Sequence, residues 1–196
     1  MLHARQLMLG VWLAWVLYWV VSASGVRTTR RRESLASRLS HALPLAVGVT
    51  LIAWPQLHVR WLSLPLLPRS PLRFGGALAL AAAGLAFTVW ARVHLGRNWS
   101  GSVTLKEGHG LILSGPYAWV RHPIYTGLLM ALLGSAVACG ELRAAIGLGV
   151  VAAAFVRKLR IEERFMRESF PQQYPRYCAQ VPALIPFTKP PRSVPR

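Results

Sequence analysis

The chain has 196 residues, 54% of them hydrophobic, and a formal net charge of +17. This is the length of one domain, but a mean hydropathy of +0.38 is too apolar for an ordinary soluble fold. The composition therefore favours a membrane protein. Two cysteines and six scattered histidines show neither a disulfide framework nor a metal-ligand spacing, so no metal is expected.

Five apolar runs follow one another along the chain, and each predicts a membrane helix. A hydrocarbon core of roughly 30 Å needs about 20 residues of helix. The last two runs are joined by a very short segment around Glu141 and so predict a helical hairpin. We expect an all-α, polytopic membrane fold with two helices and a connector in residues 1–73 and the functional core in 74–196. The runs are 7–26, 39–59, 74–91, 124–140 and 144–156, and Gly134, Gly140, Gly147 and Gly149 are predicted close-packing positions.

The first run has a second interpretation as a signal peptide, because Arg5 precedes it and small residues follow it. Its length, its three tryptophans and the five arginines between residues 27 and 38 favour a membrane helix, since those cations resist translocation.

The basic residues favour one orientation in the membrane. With the N-terminus outside, the inner segments hold eighteen of the 23 Lys and Arg residues and the outer segments hold five. The positive-inside rule therefore predicts a cytoplasmic C-terminus. This distribution accounts for the high positive charge, so we expect no nucleic-acid partner. We expect membrane lipids as partners, because a cationic surface attracts anionic head groups.

A first polar segment, HGLILSGPYAWVRHPIYTG at residues 109–127, enters the fourth apolar run. Gly115 and Pro116 predict a turn, and Pro123 suits the first turn of a helix. The segment therefore brings its polar side chains to a helix N-terminus at the membrane surface. Free backbone N–H groups there suit an anionic ligand group. The side chains concerned are Tyr117, Arg121, His122 and Tyr125.

A second polar segment, EERFMRESFPQQYPRYCAQVPALIPF at residues 162–187, follows the fifth run. It begins with two of the chain's six acidic residues, Glu162 and Glu163. Adjacent glutamates on a helix are ordinarily a solvated face paired with nearby arginines. The scarcity of acids among so many cations favours a functional role for Glu162 and leaves both interpretations open for Glu163.

These two segments, in this order and with a hairpin between them, resemble the family of isoprenylcysteine carboxyl methyltransferases and the related phospholipid N-methyltransferases, over roughly residues 95–186. The resemblance implies S-adenosylmethionine as cofactor, bound by the cytosolic loop and tail, and a lipophilic methyl acceptor. The catalytic candidates are Arg121, His122, Lys158 and Arg160. The implied cofactor contacts are Ser102, His109, Gly110, Leu111, Ile112, Tyr117, His122, Pro123, Ile124, Tyr125, Glu162 and Glu163.

Two positions depart from the family pattern. Lys158 stands where the family has a substrate-binding arginine, and lysine cannot form the planar two-point contact of arginine with a carboxylate. Arg157 or Arg160 are alternatives for that role. Pro171 stands where relatives usually have glycine. The acceptor therefore stays open between a prenylcysteine-like carboxylate, which needs an aligning cation, and a lipid amine, which must first lose a proton.

Two other functions fit parts of the sequence. The Arg-His-Pro-x-Tyr element at residues 121–125 also occurs in membrane sterol reductases, which makes an NADPH-dependent reductase the first alternative. A non-catalytic basic protein that organises anionic lipids is the second. A soluble dinucleotide-binding fold is excluded, because no glycine fingerprint follows a predicted strand. The oligomeric state is not predicted.

Overall fold

The chain folds as a bundle of apolar helices with its polar segments at the helix ends. The computed structural model describes residues 2–22, 29–32, 34–54, 59–96, 104–106 and 111–188. Its helices are α1 (Leu2–Ser22), α2 (Leu35–Ala53), α3 (Pro71–Leu95), α4 (Pro123–Cys139), α5 (Leu142–Ser169) and α6 (Gln173–Gln180), with a 3-10 helix at Gly115–Ala118.

Two short strands, β1 (Thr29–Arg32) and β2 (Thr104–Lys106), pair antiparallel, with Thr29 opposite Lys106 and Arg32 opposite Thr104. The all-α expectation missed them, because three or four residues are too few to show a strand period. The pairing places the α1–α2 and α3–α4 connections on the same side of the bundle. The predicted orientation also places both connections on the same side of the membrane. Which side of the membrane that is stays a prediction.

Within the described ranges, three helices are long and apolar enough to cross a membrane: α2, α3 and the Arg5–Ser22 part of α1. α4 is apolar but has only 17 residues. α5 has 28 residues, of which 144–156 form the predicted span and the charged remainder continues beyond it. The number of spans therefore stays a prediction, whereas the order of helices and the α4–α5 hairpin agree with the sequence.

Local signals fix where the helices begin and end. Ser34 and Ser70 accept hydrogen bonds from backbone N–H groups in the first turns of α2 and α3, and Pro71 fits the first position of α3. Gly140, at the end of α4, has φ of 67°, which favours glycine because a Cβ is disfavoured there. This glycine, with Glu141, makes the tight turn between α4 and α5.

Small residues let the helices pack closely, α3 along α4 and α2 along α5. A Cβ on Gly127 of α4 would lie 2.5 Å from the backbone oxygen of Gly84 of α3. Gly134 and Gly147 lie equally close to neighbouring helices, as predicted, but a Cβ on Gly149 would meet nothing within 4 Å. The close-packing prediction was therefore wrong for Gly149, which faces outward.

α1 docks on this bundle through polar contacts inside an apolar surface. The indoles of Trp12 and Trp15 donate hydrogen bonds to Ser135 of α4 at 3.0 Å and to Thr88 of α3 at 2.6 Å. The opposite face of α1 exposes large apolar side chains such as Leu13 and Leu17. An apolar surface of this extent is what a bilayer covers.

Candidate functional site

The candidate site lies where the start of α4 meets the charged part of α5 and the chain that follows α6. We call the part formed by residues 111–126, 158–163 and 173–184 the motif end of the molecule. Pro123 starts α4 at its first position, so the residues before it leave the helix axis and turn toward α5. The two polar segments, about 40 residues apart in sequence, meet here.

The side chain of Arg121 makes four hydrogen bonds at the motif end. Its Nε and Nη2 donate to Glu163 Oε1 at 2.9 and 2.6 Å, and its Nη1 donates to the backbone oxygens of Val181 at 2.6 Å and Cys178 at 3.3 Å. Both side chains of the ion pair are less than a tenth exposed. A buried pair with this many bonds holds α4, α5 and the C-terminal segment together.

The backbone of the same segment is tied to the start of α4. The N–H groups of Arg121 and His122 donate to the oxygens of Pro182 and Ala183, and the Thr126 hydroxyl donates to the oxygen of Leu184 at 2.6 Å. We call residues 181–188 the C-terminal strap. These bonds place the strap directly over the first turn of α4.

His122 lies between the two glutamates. Its Nε2 donates to Glu163 Oε1 at 3.3 Å, and its Nδ1 lies 3.6 Å from Glu162 Oε2. Burial lowers the pKa of His122, but the interactions with Glu162 and Glu163 outweigh burial and raise it. The two carboxylates therefore favour the protonated form of His122, which makes its ring a better hydrogen-bond donor to them than a proton acceptor.

Glu163 has its carboxylate fully engaged, since Arg121, His122 and also Arg167, at 3.1 Å, donate to it. Burial raises the pKa of Glu163, but the hydrogen bonds from His122 and Arg121 outweigh burial and lower it to about 2. The structure thus favours the structural interpretation for this glutamate.

Glu162 differs from its neighbour in exposure and partners. Its side chain is 25% exposed, against 8% for Glu163. The Tyr125 hydroxyl donates a short hydrogen bond to Glu162 Oε1. Burial raises the pKa of Glu162, but contacts with His122, Lys158 and Tyr125 outweigh burial and lower it. Glu162 is an ionised carboxylate that a ligand can reach.

The ring of Tyr125 is part of a stack. The ring of His122, just before α4, lies 5.6 Å from the Tyr125 ring, and the ring of Phe155 on α5 lies 5.0 Å from it. Both rings are nearly parallel to that of Tyr125. Lys158 Nζ lies 5.4 Å from the centroid of the Tyr125 ring. A second cation on the same ring is electrostatically disfavoured. A contact between the sulfonium of S-adenosylmethionine and the Tyr125 ring is therefore unfavourable, and the Tyr125 hydroxyl instead donates to Glu162.

The three candidate cations of α5 point in different directions. Lys158 lies over Tyr125 at the site. The guanidinium of Arg157 donates to Ser40 of α2 at 2.5 Å, and Arg160 is exposed. Among the three, the structure places only Lys158 beside Glu162 and His122.

Tyr117 is a buried residue of the 3-10 helix, and its backbone oxygen accepts a hydrogen bond from the Tyr177 hydroxyl of α6 at 2.6 Å. Burial, followed by the neighbouring Tyr177 and Glu162, raises the pKa of the Tyr117 phenol. Tyr117 is thus a neutral phenol close to Glu162, supported from behind by α6.

The remaining predicted contacts divide into two groups. Pro123 and Ile124 form the first turn of α4, and Leu111 and Ile112 are half-buried before the 3-10 helix. Ser102, His109 and Gly110 lie outside the described residues. Sequence reasoning missed Phe155 and the strap carbonyls. Phe155 has helical spacing to Lys158 and Glu162, which could have indicated it, whereas carbonyl groups carry no sequence signal.

A cavity of about 340 Å³ lies away from these residues, at the turn between α4 and α5. Pro65, Leu67, Cys139 and Glu141 are among its lining residues. Its one carboxylate, Glu141, is already paired with Arg143 at 2.7 Å. The candidate site is therefore at the motif end and not in this cavity.

The fold and the site define a helical membrane protein whose polar centre lies at the end of its membrane helices. A model of the isoprenylcysteine carboxyl methyltransferase (ICMT) family matches residues 77–168. The matched segment, close to half of the chain, resembles this family, and the chain is an integral membrane protein.

Relatives and a solved structure agree with this assignment. The chain is 32% identical to protein-S-isoprenylcysteine O-methyltransferase B of Arabidopsis thaliana over 110 residues, which are 56% of this chain and 51% of the relative. It is 31% identical to the Homo sapiens protein-S-isoprenylcysteine O-methyltransferase over 143 residues, 70% of this chain and 46% of the relative. The chain thus spans about half the length of the curated relatives it matches.

The fold is similar to that of the eukaryotic intramembrane Ras methyltransferase ICMT. The TM-score is 0.50 at 24% sequence identity, covering 78% of this chain and 51% of that one. At this identity the likeness shows the fold alone.

Proposed function

We propose that the chain transfers a methyl group from S-adenosylmethionine to the carboxylate of a lipophilic, prenylcysteine-like acceptor that reaches the site from the bilayer. The observation that carries the proposal is the partly exposed Glu162, held by Tyr125 and His122 beside Lys158. The names of the relatives support the reaction type, and the segment matched by the family model, residues 77–168, contains these residues.

The donor set fits S-adenosylmethionine. Glu162 is an acceptor for the α-ammonium or the ribose hydroxyls, and its lowered pKa keeps it ionised. The His122 side chain makes no capping bond at the start of α4, so the first amides of that helix suit the cofactor's carboxylate. When bound, this cofactor supplies an electrophilic methyl group: the new bond to the acceptor oxygen forms as the carbon–sulfur bond breaks and its electron pair returns to sulfur.

The protein's own residues orient the reactants and require no general base. A carboxylate acceptor is already ionised, so the raised pKa of His122 does not hinder the reaction. Lys158 aligns the acceptor carboxylate as a point charge. The strap and α6 cover the start of α4 and exclude water, and orientation with desolvation supplies most of the rate in such a displacement.

An amine acceptor is less favourable at this site. Such an acceptor must lose a proton before attack, and the two carboxylates beside His122 favour its protonated form, which cannot take that proton. The Lys158 ammonium also repels a protonated amine. Arg121, predicted as a catalytic candidate, acts in this proposal by positioning the strap, because its donors are bound to Glu163 and carbonyl groups.

Calorimetry with S-adenosylhomocysteine on protein in lipid nanodiscs tests the cofactor site. We expect the wild type to bind and Glu162→Gln to weaken binding about tenfold or more, as loss of a charged hydrogen-bond partner does. The matched control is Glu168→Gln, an exposed acid of the same helix, which should bind normally. Absence of binding by the wild type, or preferential binding of NADPH, would overturn the proposal in favour of a reductase or a non-catalytic protein.

A further inference from the structure

An aromatic cluster lies at the motif end, outside the contacts of the candidate site. It comprises Phe87 and Trp90 of α3, Trp119 before α4, and Phe187 of the strap, and we call it the aromatic cluster. Trp119 lies 5.4 Å from Trp90 and 6.4 Å from Phe87, and Phe187 lies 6.3 Å from Trp119, measured between ring centroids. Trp90, Trp119 and Phe187 are 40%, 48% and 89% exposed.

The position of the cluster along α3 indicates its depth in the membrane. α3 has 25 residues, and at 1.5 Å per residue it is about 37 Å long, a few ångströms longer at each end than a core of roughly 30 Å. Trp90 lies five residues, or about 7 Å, before Leu95, the last residue of α3, which places it within about 4 Å of the boundary between hydrocarbon and head groups. Tryptophan and other aromatic side chains concentrate at this level.

Phe187 is the unusual member of the cluster. Its φ is 63°, in the left-handed region that side chains with a Cβ disfavour. The conformation directs an almost fully exposed apolar ring toward Trp119 at the level of the membrane boundary. In water neither the backbone conformation nor the exposure is favourable, whereas a lipid interface would bury the ring.

The cluster is connected to the site through the strap. The backbone oxygens of residues 181–184 accept hydrogen bonds from the Arg121 guanidinium, the Arg121 and His122 amides and the Thr126 hydroxyl. Phe187 lies three residues beyond the last of these carbonyl groups, in the same segment. Anchoring Phe187 therefore restrains the part of the chain that covers the first turn of α4.

We propose that the aromatic cluster is a membrane-interface anchor for the C-terminal strap, so that contact with the bilayer holds the strap closed over the candidate site. The partner is the lipid interface itself. The face is continuous with the exposed apolar side of α3, where Val93 is also exposed, one turn beyond Trp90. This proposal does not depend on methyl transfer.

Accessibility of a label at position 187 tests the anchor directly. A fluorophore on Phe187→Cys, with Cys139→Ala and Cys178→Ser, is measured in nanodiscs holding one chain each. We expect quenching by aqueous iodide at least about threefold weaker than for the same label on Arg176→Cys, an exposed position of α6, together with strong quenching by lipid-borne quenchers. Equal iodide quenching at both positions overturns the proposal. So does protection of position 187 that is seen only in nanodiscs holding two chains.

Hydrogen exchange tests the link to the strap. The Arg121 and His122 amides donate to the strap, so we expect these two amides to exchange faster in Phe187→Ser than in the wild type, measured in nanodiscs. In Phe187→Trp they should exchange at the wild-type rate. The control Trp61→Ser removes another exposed aromatic side chain, away from the motif end, and should leave these amides unchanged. Unchanged exchange in Phe187→Ser would show that the strap closes without the membrane.

Discussion

The two ends of α4 and α5 use the same kind of contact for different purposes. At the motif end, buried Arg121 binds Glu163 and two backbone oxygens of the C-terminal segment. At the other end, which we call the hairpin end, buried Arg143 binds Glu141 and the oxygens of Leu51, Ile52 and Trp54. Each arginine satisfies carbonyl groups that no helix bond can satisfy.

We call each buried arginine, together with its carboxylate and carbonyl partners, an arginine clamp. The two ends differ in the acidic groups that lie beside this clamp. Glu141 at the hairpin end is the only carboxylate of its clamp, and the backbone N–H groups of Leu142 and Arg143 are bound by the connector before α3. The motif end has a second carboxylate, Glu162, with a tyrosine, a histidine and a lysine beside it. A buried arginine clamp therefore indicates a structural role. The additional, partly exposed Glu162 is what distinguishes the candidate site from the hairpin end.

Breaking either clamp should have the largest effect on stability. We expect Arg121→Ala and Arg143→Ala each to lower the free energy of unfolding by about 3–5 kcal/mol, because each leaves buried polar groups unpaired. Denaturant titration of protein in detergent measures this loss. Arg164→Ala, an exposed residue of α5, is the control and should change it by less than about 0.5 kcal/mol.

The same variants sharpen the difference between the ends. In the folded fraction, Arg121→Ala should also weaken S-adenosylhomocysteine binding, because the strap is released, whereas Arg143→Ala should leave affinity unchanged. Equal loss of affinity in both variants would contradict the division of roles between the clamps.

Lys158 should have an intermediate effect, confined to the acceptor. We expect Lys158→Ala to raise KM for a prenylcysteine carboxylate about tenfold, or roughly 1.4 kcal/mol, and Lys158→Arg to restore it, since arginine contacts a carboxylate at two points. Steady-state kinetics with a farnesylated cysteine measures KM. Arg157→Ala and Arg160→Ala are matched controls from the same helix. Unchanged KM in Lys158→Ala would argue against a carboxylate acceptor aligned by this residue.

The smallest expected effect is a pH dependence of stability that arises from His122 and Glu163 at the motif end. The raised pKa of His122 means that its contribution to stability is complete below the ordinary value of 6.5 and is lost as the pH rises through the raised value. The pKa of Glu163 is lowered from 4.5 to about 2, so its contribution is complete above pH 4.5 and is lost as the pH falls toward 2. Stability should therefore be highest between pH 4.5 and 6.5.

Melting temperature as a function of pH measures both limbs. We expect His122→Gln to flatten the fall above pH 6.5 and Glu163→Gln to flatten the fall below pH 4.5. His94→Gln, on an exposed histidine, should change neither limb. A wild-type profile that is flat above pH 6.5 would show that protonated His122 does not stabilise the fold.

Much of the fold was predictable because apolar runs and helix caps are local. The hairpin around Glu141, the start of α4 at Pro123 and the packing roles of Gly134 and Gly147 follow from residue type and spacing. Gly149 was misjudged, because the direction in which a glycine faces depends on which helices pack together. The two short strands were missed, because their pairing joins residues about 75 positions apart.

The sequence by itself determined the membrane class, the order of helices and the two polar segments, because hydropathy and motif spacing are properties of neighbouring residues. Only the tertiary structure decided how the adjacent acids divide their roles: Glu163 turns toward Arg121 and is buried in a clamp, while Glu162 turns toward Tyr125 and stays reachable. Neighbours on a helix point about 100° apart, so one step along α5 separates a buried, ion-paired carboxylate from a partly exposed one.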